Sequence, residues 1–95
     1  MIFDCSERVF KVIDANDKER FFKLFSYSKI RSKQIFYFYE VYEILYERQK
    51  LKQISELVYE SKIYSDEYIF ELSLQESGIY CKNIEEVKQW NLKNY

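Results

Sequence analysis

This chain must build its turns with almost no help from glycine or proline, because its 95 residues include one glycine, Gly78, and no proline. Glycine supplies positive φ angles and proline a fixed φ, so their scarcity excludes a loop-rich fold. The chain is also 47% hydrophobic and 20% aromatic, a composition that excludes a disordered polymer. We therefore expect one compact domain over residues 1–95.

Polar residues at regular intervals predict where helices begin. Asp4–Glu7, Asn16–Glu19 and Asn83–Glu86 each place a capping side chain three residues before a glutamate, and Ser32 and Ser65 are further caps. These signals predict a helical domain with helices at roughly 5–14, 17–27, 32–48, 52–61, 66–77 and 84–92. The expected fold class is all-α, with five or six short helices around a central aromatic helix at 32–48.

The proposed central helix has apolar residues on most of its circumference. Its main face follows the i, i+3, i+4, i+7 spacing and consists of Ile35, Phe38, Tyr39, Tyr42, Leu45 and Tyr46. Glu40, Glu43 and Glu47 would form a single acidic stripe opposite that face. Such a helix must be covered either by the other helices, which we favour, or in part by another chain.

Residues 70–75 fit two periodicities. Phe70, Leu72 and Leu74 alternate with polar residues, as in a half-buried strand. The Ser65 cap and the acidic first turn favour a helix, and Gly78 is a natural stop after it. We therefore predict a helix here.

The segments Val41–Leu45, Gln53–Leu57 and Leu74–Tyr80 resemble the core of a winged helix-turn-helix domain over residues 41–80. The resemblance implies a recognition helix that ends at Gly78 and a wing strand after it. Between Gly78 and the Asn83 cap, however, there is no room for a two-stranded wing. The recognition helix would also carry four carboxylates and no Lys or Arg, which favours contact with protein over DNA.

Charge is unevenly distributed although the formal net charge is only -1. Residues 18–52 carry nine basic and four acidic residues, whereas residues 53–81 carry one basic and six acidic residues. The basic region supplies the candidate nucleic-acid contacts of an alternative function: Lys29, Arg31, Lys33, Arg48, Lys50 and Lys52. The other interpretation of these cations is that they lie at helix ends, where they complement the last carbonyl groups or simply solvate a loop.

Catalysis is not expected. The chain has no histidine, and the glutamate stripe has no second cluster with metal-ligand spacing, so we predict no catalytic, cofactor or metal site. Cys5 and Cys81 are expected to be free thiols. The first residues lack a basic signal-peptide region and the longest uncharged run is short, which predicts a cytoplasmic protein.

Binding to a macromolecule is the function that remains. Tyrosine suits protein contacts, and Tyr37, Tyr59, Tyr64, Tyr80 and Tyr95 are the expected surface tyrosines. We predict a small regulatory or inhibitory protein with an acidic, tyrosine-bearing surface for a basic protein partner. Its predicted contacts are Glu56, Tyr59, Glu60, Tyr64, Asp66, Glu67 and Glu71.

The composition resembles that of AT-rich genomes, so a phage or mobile-element origin and a host nucleic-acid-handling target are part of this hypothesis. The alternatives are a winged-helix-like DNA-binding regulator and a homo-oligomeric structural protein, and a homodimer fits either.

Overall fold

The computed structural model describes residues 2–45 and 50–88, with the side chains of residues 2 and 3 left out. The elements in chain order are β1 (Ile2–Asp14), β2 (Glu19–Arg31), β3 (Gln34–Ile44), β4 (Leu51–Tyr59), α1 (Asp66–Glu76) and β5 (Cys81–Val87). All neighbouring strands are antiparallel, and the sheet order is β4-β3-β2-β1-β5. Four strands thus form a meander, after which α1 carries the chain across the sheet to its other edge.

The predicted all-α class is wrong, and so is the winged helix-turn-helix resemblance. Residues 41–80 contain the end of β3, the edge strand β4 and one helix, in place of the three helices that the resemblance implies. Within the described residues, the predicted helices at 5–14, 17–27, 32–48, 52–61 and 84–92 consist mainly of strand, with a few turn residues at their ends, and the remainder of two of them, 46–48 and 89–92, lies outside those residues. The helix predicted at 66–77 is confirmed as α1.

The central aromatic segment is the middle strand β3, which pairs with β2 on one side and β4 on the other. A central strand with apolar residues on both faces reads as a nearly continuous apolar run, and such a run also satisfies the i, i+3, i+4 spacing of a helix. Aromatic and β-branched residues dominate the segment, as is typical of strands. Alanine, the residue with the highest helix propensity, is absent from this segment, because the single alanine of the chain is Ala15.

The predicted capping boxes are turn or strand residues, except at Ser65. In the tight turn between β1 and β2, the Asp14 carboxylate accepts hydrogen bonds from the backbone N–H groups of Asn16 and Lys18, each at 2.9 Å. Asp, Asn and Ser side chains satisfy backbone N–H groups equally well in turns and at helix starts. Ser65 does cap a helix, because its Oγ accepts from the Tyr68 N–H at 3.1 Å.

The core lies between α1 and one face of the sheet. Phe70 of α1 stacks on Phe10 with ring centroids 4.3 Å apart and meets Phe22 edge-on at 5.9 Å. The fully buried side chains around them include Val12, Leu24 and others of the same face. We call this the helix face and the other side the open face, over which no described helix or strand lies.

Strand alternation also separates the predicted acidic stripe. Glu40 and Glu43 lie on opposite faces of β3, since they are an odd number of residues apart. Glu43 pairs with Arg20 on the helix face at 2.7 Å, whereas Glu40 lies on the open face. Glu47 lies outside the described residues.

Candidate functional site

Four tyrosines form a continuous row from the core to the surface where β4 leads into α1. The ring centroids of Tyr39 and Tyr59 are 6.0 Å apart, those of Tyr59 and Tyr64 are 5.5 Å apart, and those of Tyr64 and Tyr68 are 4.9 Å apart. We call Tyr39, Tyr59, Tyr64 and Tyr68 the tyrosine row. Such ring pairs add about 0.5–1.5 kcal/mol each beyond their buried area, so the row is a stable arrangement.

Each ring of the row is held by a different part of the fold. Tyr39 is buried on β3, and Tyr59 is the last residue of β4, opposite Tyr37. Tyr64 lies in the loop between β4 and α1. Tyr68 stands in the first turn of α1, whose start is fixed by the Ser65 cap. The row is therefore anchored at one end by the sheet and at the other by a capped helix.

The outer end of the row is open to solvent. Tyr64 is 39% exposed, Tyr68 is 48% exposed, and Ile63 beside them is 70% exposed. Burial raises the pKa of Tyr59, with smaller contributions from Tyr64 and Glu76, so its hydroxyl keeps its proton near neutral pH. This end combines rigid aromatic surface, one exposed aliphatic side chain and phenolic hydroxyls that can donate hydrogen bonds.

The predicted protein-binding residues are only partly brought together. Tyr59 and Tyr64 belong to the tyrosine row, and Glu60 is exposed at the start of the adjoining loop. Glu56 lies on the open face, opposite Glu40 in the ladder, and so points away from the row. Glu71 is exposed on α1.

The other two predicted acids, Asp66 and Glu67, bind within the chain. Arg8 of β1 donates to Asp66 at 3.3 Å and to Glu67 at 2.7 Å, and its Nε and Nη2 reach Glu86 of β5 at 3.0 and 2.8 Å. These bonds hold the pKa of Glu86 at about 2, with Lys88 contributing, and they also lower the pKa of Glu67. Asp66 and Glu67 are therefore ion-paired within the chain, although one arginine charge is shared by three carboxylates, and these contacts tie α1 to β1 and β5.

Sequence reasoning missed Arg8 and Tyr68 as site residues. Arg8 contacts acids 58 to 78 positions away in the chain, which only the sheet order brings near. A signal was present in the alternation of Arg8, Phe10 and Val12, which places the arginine on the helix face once the segment is taken as a strand. Tyr68 was not among the tyrosines expected at the surface.

The predicted nucleic-acid contacts fall into two separate groups. Lys29, Arg31 and Lys33 lie at the hairpin between β2 and β3, whereas Lys50 and Lys52 lie at the start of β4. Arg48 lies outside the described residues. The two groups stand at opposite ends of β3, roughly 30 Å apart at about 3.3 Å per residue.

Two of the hairpin cations rest on an aromatic ring. Lys29 Nζ lies 5.2 Å and the Arg31 guanidinium 5.6 Å from the ring centre of Phe38. Each such contact contributes about 0.5–1 kcal/mol at an exposed site. These cations therefore also have a structural role.

On the open face, Glu40 accepts hydrogen bonds from the hydroxyls of Tyr27 and Tyr42. Burial and this carboxylate raise the pKa of Tyr27 to about 12, and the hydrogen bond to Glu40 followed by burial raises that of Tyr42 to about 12. Both phenols are thus hydrogen-bond donors at neutral pH and do not act as bases.

Expected and observed tyrosine exposures agree in part. Tyr64 and Tyr80 are exposed, Tyr37 and Tyr59 are half-buried, and Tyr95 lies outside the described residues. Cys5 and Cys81 are both free thiols. Burial, with Glu71 as the next contribution, raises the pKa of Cys81, which lowers its reactivity.

In the described ranges, no group of three or more Asp, Glu or Cys side chains has a geometry that could hold a metal ion. Within those same ranges, no helix has both the length and the apolar character needed to cross a bilayer. Comparison of the chain with protein-family models, with curated proteins and with solved structures finds no match. The tyrosine row is accordingly the candidate site on which a functional proposal rests.

Proposed function

We propose that this chain is a small non-enzymatic regulatory or inhibitory protein that acts in the cytoplasm by binding another protein through the outer end of the tyrosine row. The observation that carries the proposal is the contact between Tyr59, Tyr64 and Tyr68, with the last two rings exposed. Tyrosine offers a large rigid contact area at low entropic cost, which is why it is enriched at binding hot spots.

The surroundings of the row favour a partner with an apolar pocket and a basic rim. Ile63 is 70% exposed and would enter such a pocket with the two rings. Glu60 is exposed at the start of the loop, and Glu76 is close enough to Tyr59 to affect its pKa. Asp66 and Glu67 are less available to such a basic rim because both already pair with Arg8. Fewer unpaired acidic residues are therefore available to a partner on this surface than the sequence predicted.

A host protein that handles nucleic acid is the target class we keep for this proposal, because such proteins present basic grooves with apolar floors. Because Asp66 and Glu67 pair with Arg8, few carboxylates on this surface are unpaired. Aromatic burial, more than charge, is then expected to supply the affinity.

Photocrosslinking tests the proposal. A photoreactive phenylalanine analogue at Ile63 is expected to capture one protein from a lysate of the source cells, and the same analogue at Tyr80 serves as the control. Tyr80 is matched because it is 68% exposed and lies outside the row. Equal capture of the same protein from both positions would contradict the proposal.

The captured protein, once purified, allows affinity to be measured. The double variant Tyr64→Ser with Tyr68→Ser is expected to weaken binding at least about 30-fold, as for a hot spot worth about 2 kcal/mol. Tyr80→Ser should bind like the unmodified chain. Unchanged affinity in the double variant, with an unchanged melting temperature, would overturn the assignment of this surface.

The nucleic-acid alternative keeps only the hairpin cations, since Lys50 and Lys52 lie at the other end of β3. With only a few phosphate contacts, affinity depends weakly on salt: the logarithm of the binding constant falls with the logarithm of salt concentration with a slope of about −0.9 per contact. Duplex binding at low salt that Lys33→Glu abolishes would favour this alternative over the tyrosine row.

A further inference from the structure

The open face is the largest aromatic surface of the sheet that α1 leaves uncovered. It carries Phe25 and Tyr27 from β2 and Phe38 and Tyr42 from β3, with Tyr27 and Phe38 stacked at 5.1 Å and Phe25 and Tyr42 edge-on at 5.6 Å. Phe38 is only 8% exposed, because these rings and the cations over them bury one another, and the other three rings are partly exposed. At its β4 edge, Leu51 is 46% and Val58 47% exposed. Monomeric proteins rarely leave a contiguous apolar patch larger than a few hundred Å² open to water.

The open-face side chains of β2 are complementary to those of a second β2 that runs in the opposite direction. The open-face residues of this strand are, in order, Glu19, Phe21, Lys23, Phe25, Tyr27 and Lys29. If the β2 strand of a second copy lies over this one in the opposite direction, Glu19 faces Lys29 and Phe21 faces Tyr27. At the centre, Lys23 faces Phe25. Each of these pairings is favourable.

β3, the neighbour of β2 on one side, keeps the same complementarity about the same midpoint. In the ladder, Phe25 stands beside Glu40, and Lys23 beside Tyr42, so the midpoint of β3 falls between Glu40 and Tyr42. Reversal then sets Phe38 against Ile44, and Glu40 against a tyrosine hydroxyl.

On β4 the same midpoint falls between Glu56 and Gln53. Reversal there sets Val58 against Leu51, both of which are exposed apolar residues. None of the pairs on β2, β3 or β4 brings two like charges together.

From this pattern we propose that two copies of the chain pack their open faces together. The two-fold axis lies between the sheets, perpendicular to the strands, and passes between the Lys23 and Phe25 rows. Such an isologous contact uses the same patch on both copies. The sheets would lie about 10 Å apart with their strands within about 30° of each other, as in a β-sandwich.

The size of the face suits a stable dimer. Five strands at about 4.8 Å spacing and a β2 segment of about 33 Å span on the order of 700 Å². A standard specific interface buries about 800 Å² on each partner. The face is thus close to the area that a second copy would cover in a standard interface.

Sedimentation tests the dimer directly. The unmodified chain is expected to show the mass of a dimer that dissociates on dilution, and Phe25→Ser at the centre of the face is expected to leave a monomer with an unchanged helical circular dichroism signal. A monomer mass at every concentration for the unmodified chain, or a persistent dimer in Phe25→Ser, would overturn the proposal.

A charge exchange tests the register. Glu19→Lys and Lys29→Glu should each weaken the dimer, by roughly tenfold, because each sets like charges opposite one another. The double variant should restore the affinity. Glu19 and Lys29 lie at the two ends of the same strand, so they cannot pair within one chain. Glu19→Lys also disturbs the contact with Lys11 at 4.0 Å, and the second substitution does not repair that contact.

The control for the exchange is Lys52→Glu, a charge reversal on the helix side of β4. It should leave the dimer unchanged. A dimer that forms but is not restored in the double variant would contradict this register. Because Glu19, Phe25 and Lys29 lie on the opposite face from the tyrosine row, partner binding through that row is expected to survive substitution of these three residues.

Discussion

Ser32 and Lys33 turn the chain between β2 and β3 with φ angles of 50° and 66°. Two successive positive φ angles between paired residues Arg31 and Gln34 define a two-residue hairpin turn of the kind that favours Asn-Gly. A side chain in the left-handed region costs on the order of 1 kcal/mol or more. The scarcity of glycine therefore has a local cost at this hairpin.

Replacing this turn by Ser32→Asn with Lys33→Gly is expected to stabilise the protein. Glycine adopts the left-handed conformation without strain, so the free energy of unfolding should rise by about 1 kcal/mol. Urea denaturation followed by circular dichroism measures the change. Gln34→Gly, in the extended strand next to the turn, is the matched control and should lower stability instead.

Arg8 gives the fold a specific dependence on acid pH. It holds the pKa of Glu86 at about 2 and lowers that of Glu67, whereas both carboxylates titrate near 4.5 in an unfolded chain. A carboxylate with a lowered pKa stabilises the fold above its unfolded pKa, and that stabilisation is lost as the pH falls through its folded pKa. The loss is therefore expected between about pH 4.5 and pH 2.

Arg8→Gln tests this dependence. The variant should be less stable than the unmodified chain at pH 7, and the difference should shrink as the pH is lowered towards 2. Lys82→Gln, which removes an exposed ion pair with Asp17, should leave the pH dependence unchanged. Parallel curves of stability against pH for Arg8→Gln and the unmodified chain would show that Arg8 does not set these pKa values.

At the scale of the element, α1 was predictable and the strands were not. The Ser65 cap, two acidic residues in the first turn and Gly78 with a φ of 77° after the last turn act locally, within a few residues of one another. Strand formation depends on partners far along the chain. β3 is apolar on both faces because it is central, so its sequence carries no period-two signal to distinguish it from a buried helix.

The candidate site was likewise predictable only where its residues depend on local sequence and not on strand pairing. Tyr59 and Tyr64 were identified because tyrosine suits binding in any fold. Glu56 was assigned to the same surface by its position in an acidic segment, but alternation along β4 turns it to the open face. The pairing of Asp66 and Glu67 with Arg8 depends on strand order; the local sequence indicates the face on which Arg8 lies but not its partners.

The cap of α1 provides a test at this scale. Ser65→Ala removes the acceptor for the Tyr68 N–H, and the free energy of unfolding should fall by about 1 kcal/mol. Because the cap also fixes Tyr68 in the tyrosine row, partner affinity should fall in the same variant. Ser61→Ala, in the same loop and exposed, should change neither quantity, and a loss as large as that of Ser65→Ala would refute the role of the cap.

At the scale of the whole molecule, the part of the chain that the structure describes has one helix over one face of a five-stranded sheet, so its stability depends on a few side chains. Phe70 is fully buried and contacts Phe10 and Phe22 from two strands. These three rings join α1, β1 and β2 into one unit. Helix and sheet are therefore expected to unfold together.

Phe70→Ala is expected to lower the free energy of unfolding by about 3–5 kcal/mol, since it removes a ring from a closely packed core. Helical circular dichroism and near-ultraviolet tyrosine signals should be lost at the same urea concentration. Leu72→Ala on the same helix should cost less, because Leu72 is only partly buried. Separate transitions for the two signals would show that helix and sheet are not one cooperative unit.

The pairing of β5 with β1 has a consequence for synthesis. The two strands meet through pairs such as Phe10 with Glu86, so this contact waits until nearly all of the described chain has left the ribosome. Until then, β1 presents a row of unpaired backbone groups that can template association with another chain. A nascent chain is therefore exposed to aggregation along β1, and the arrival of β5 removes part of that hazard.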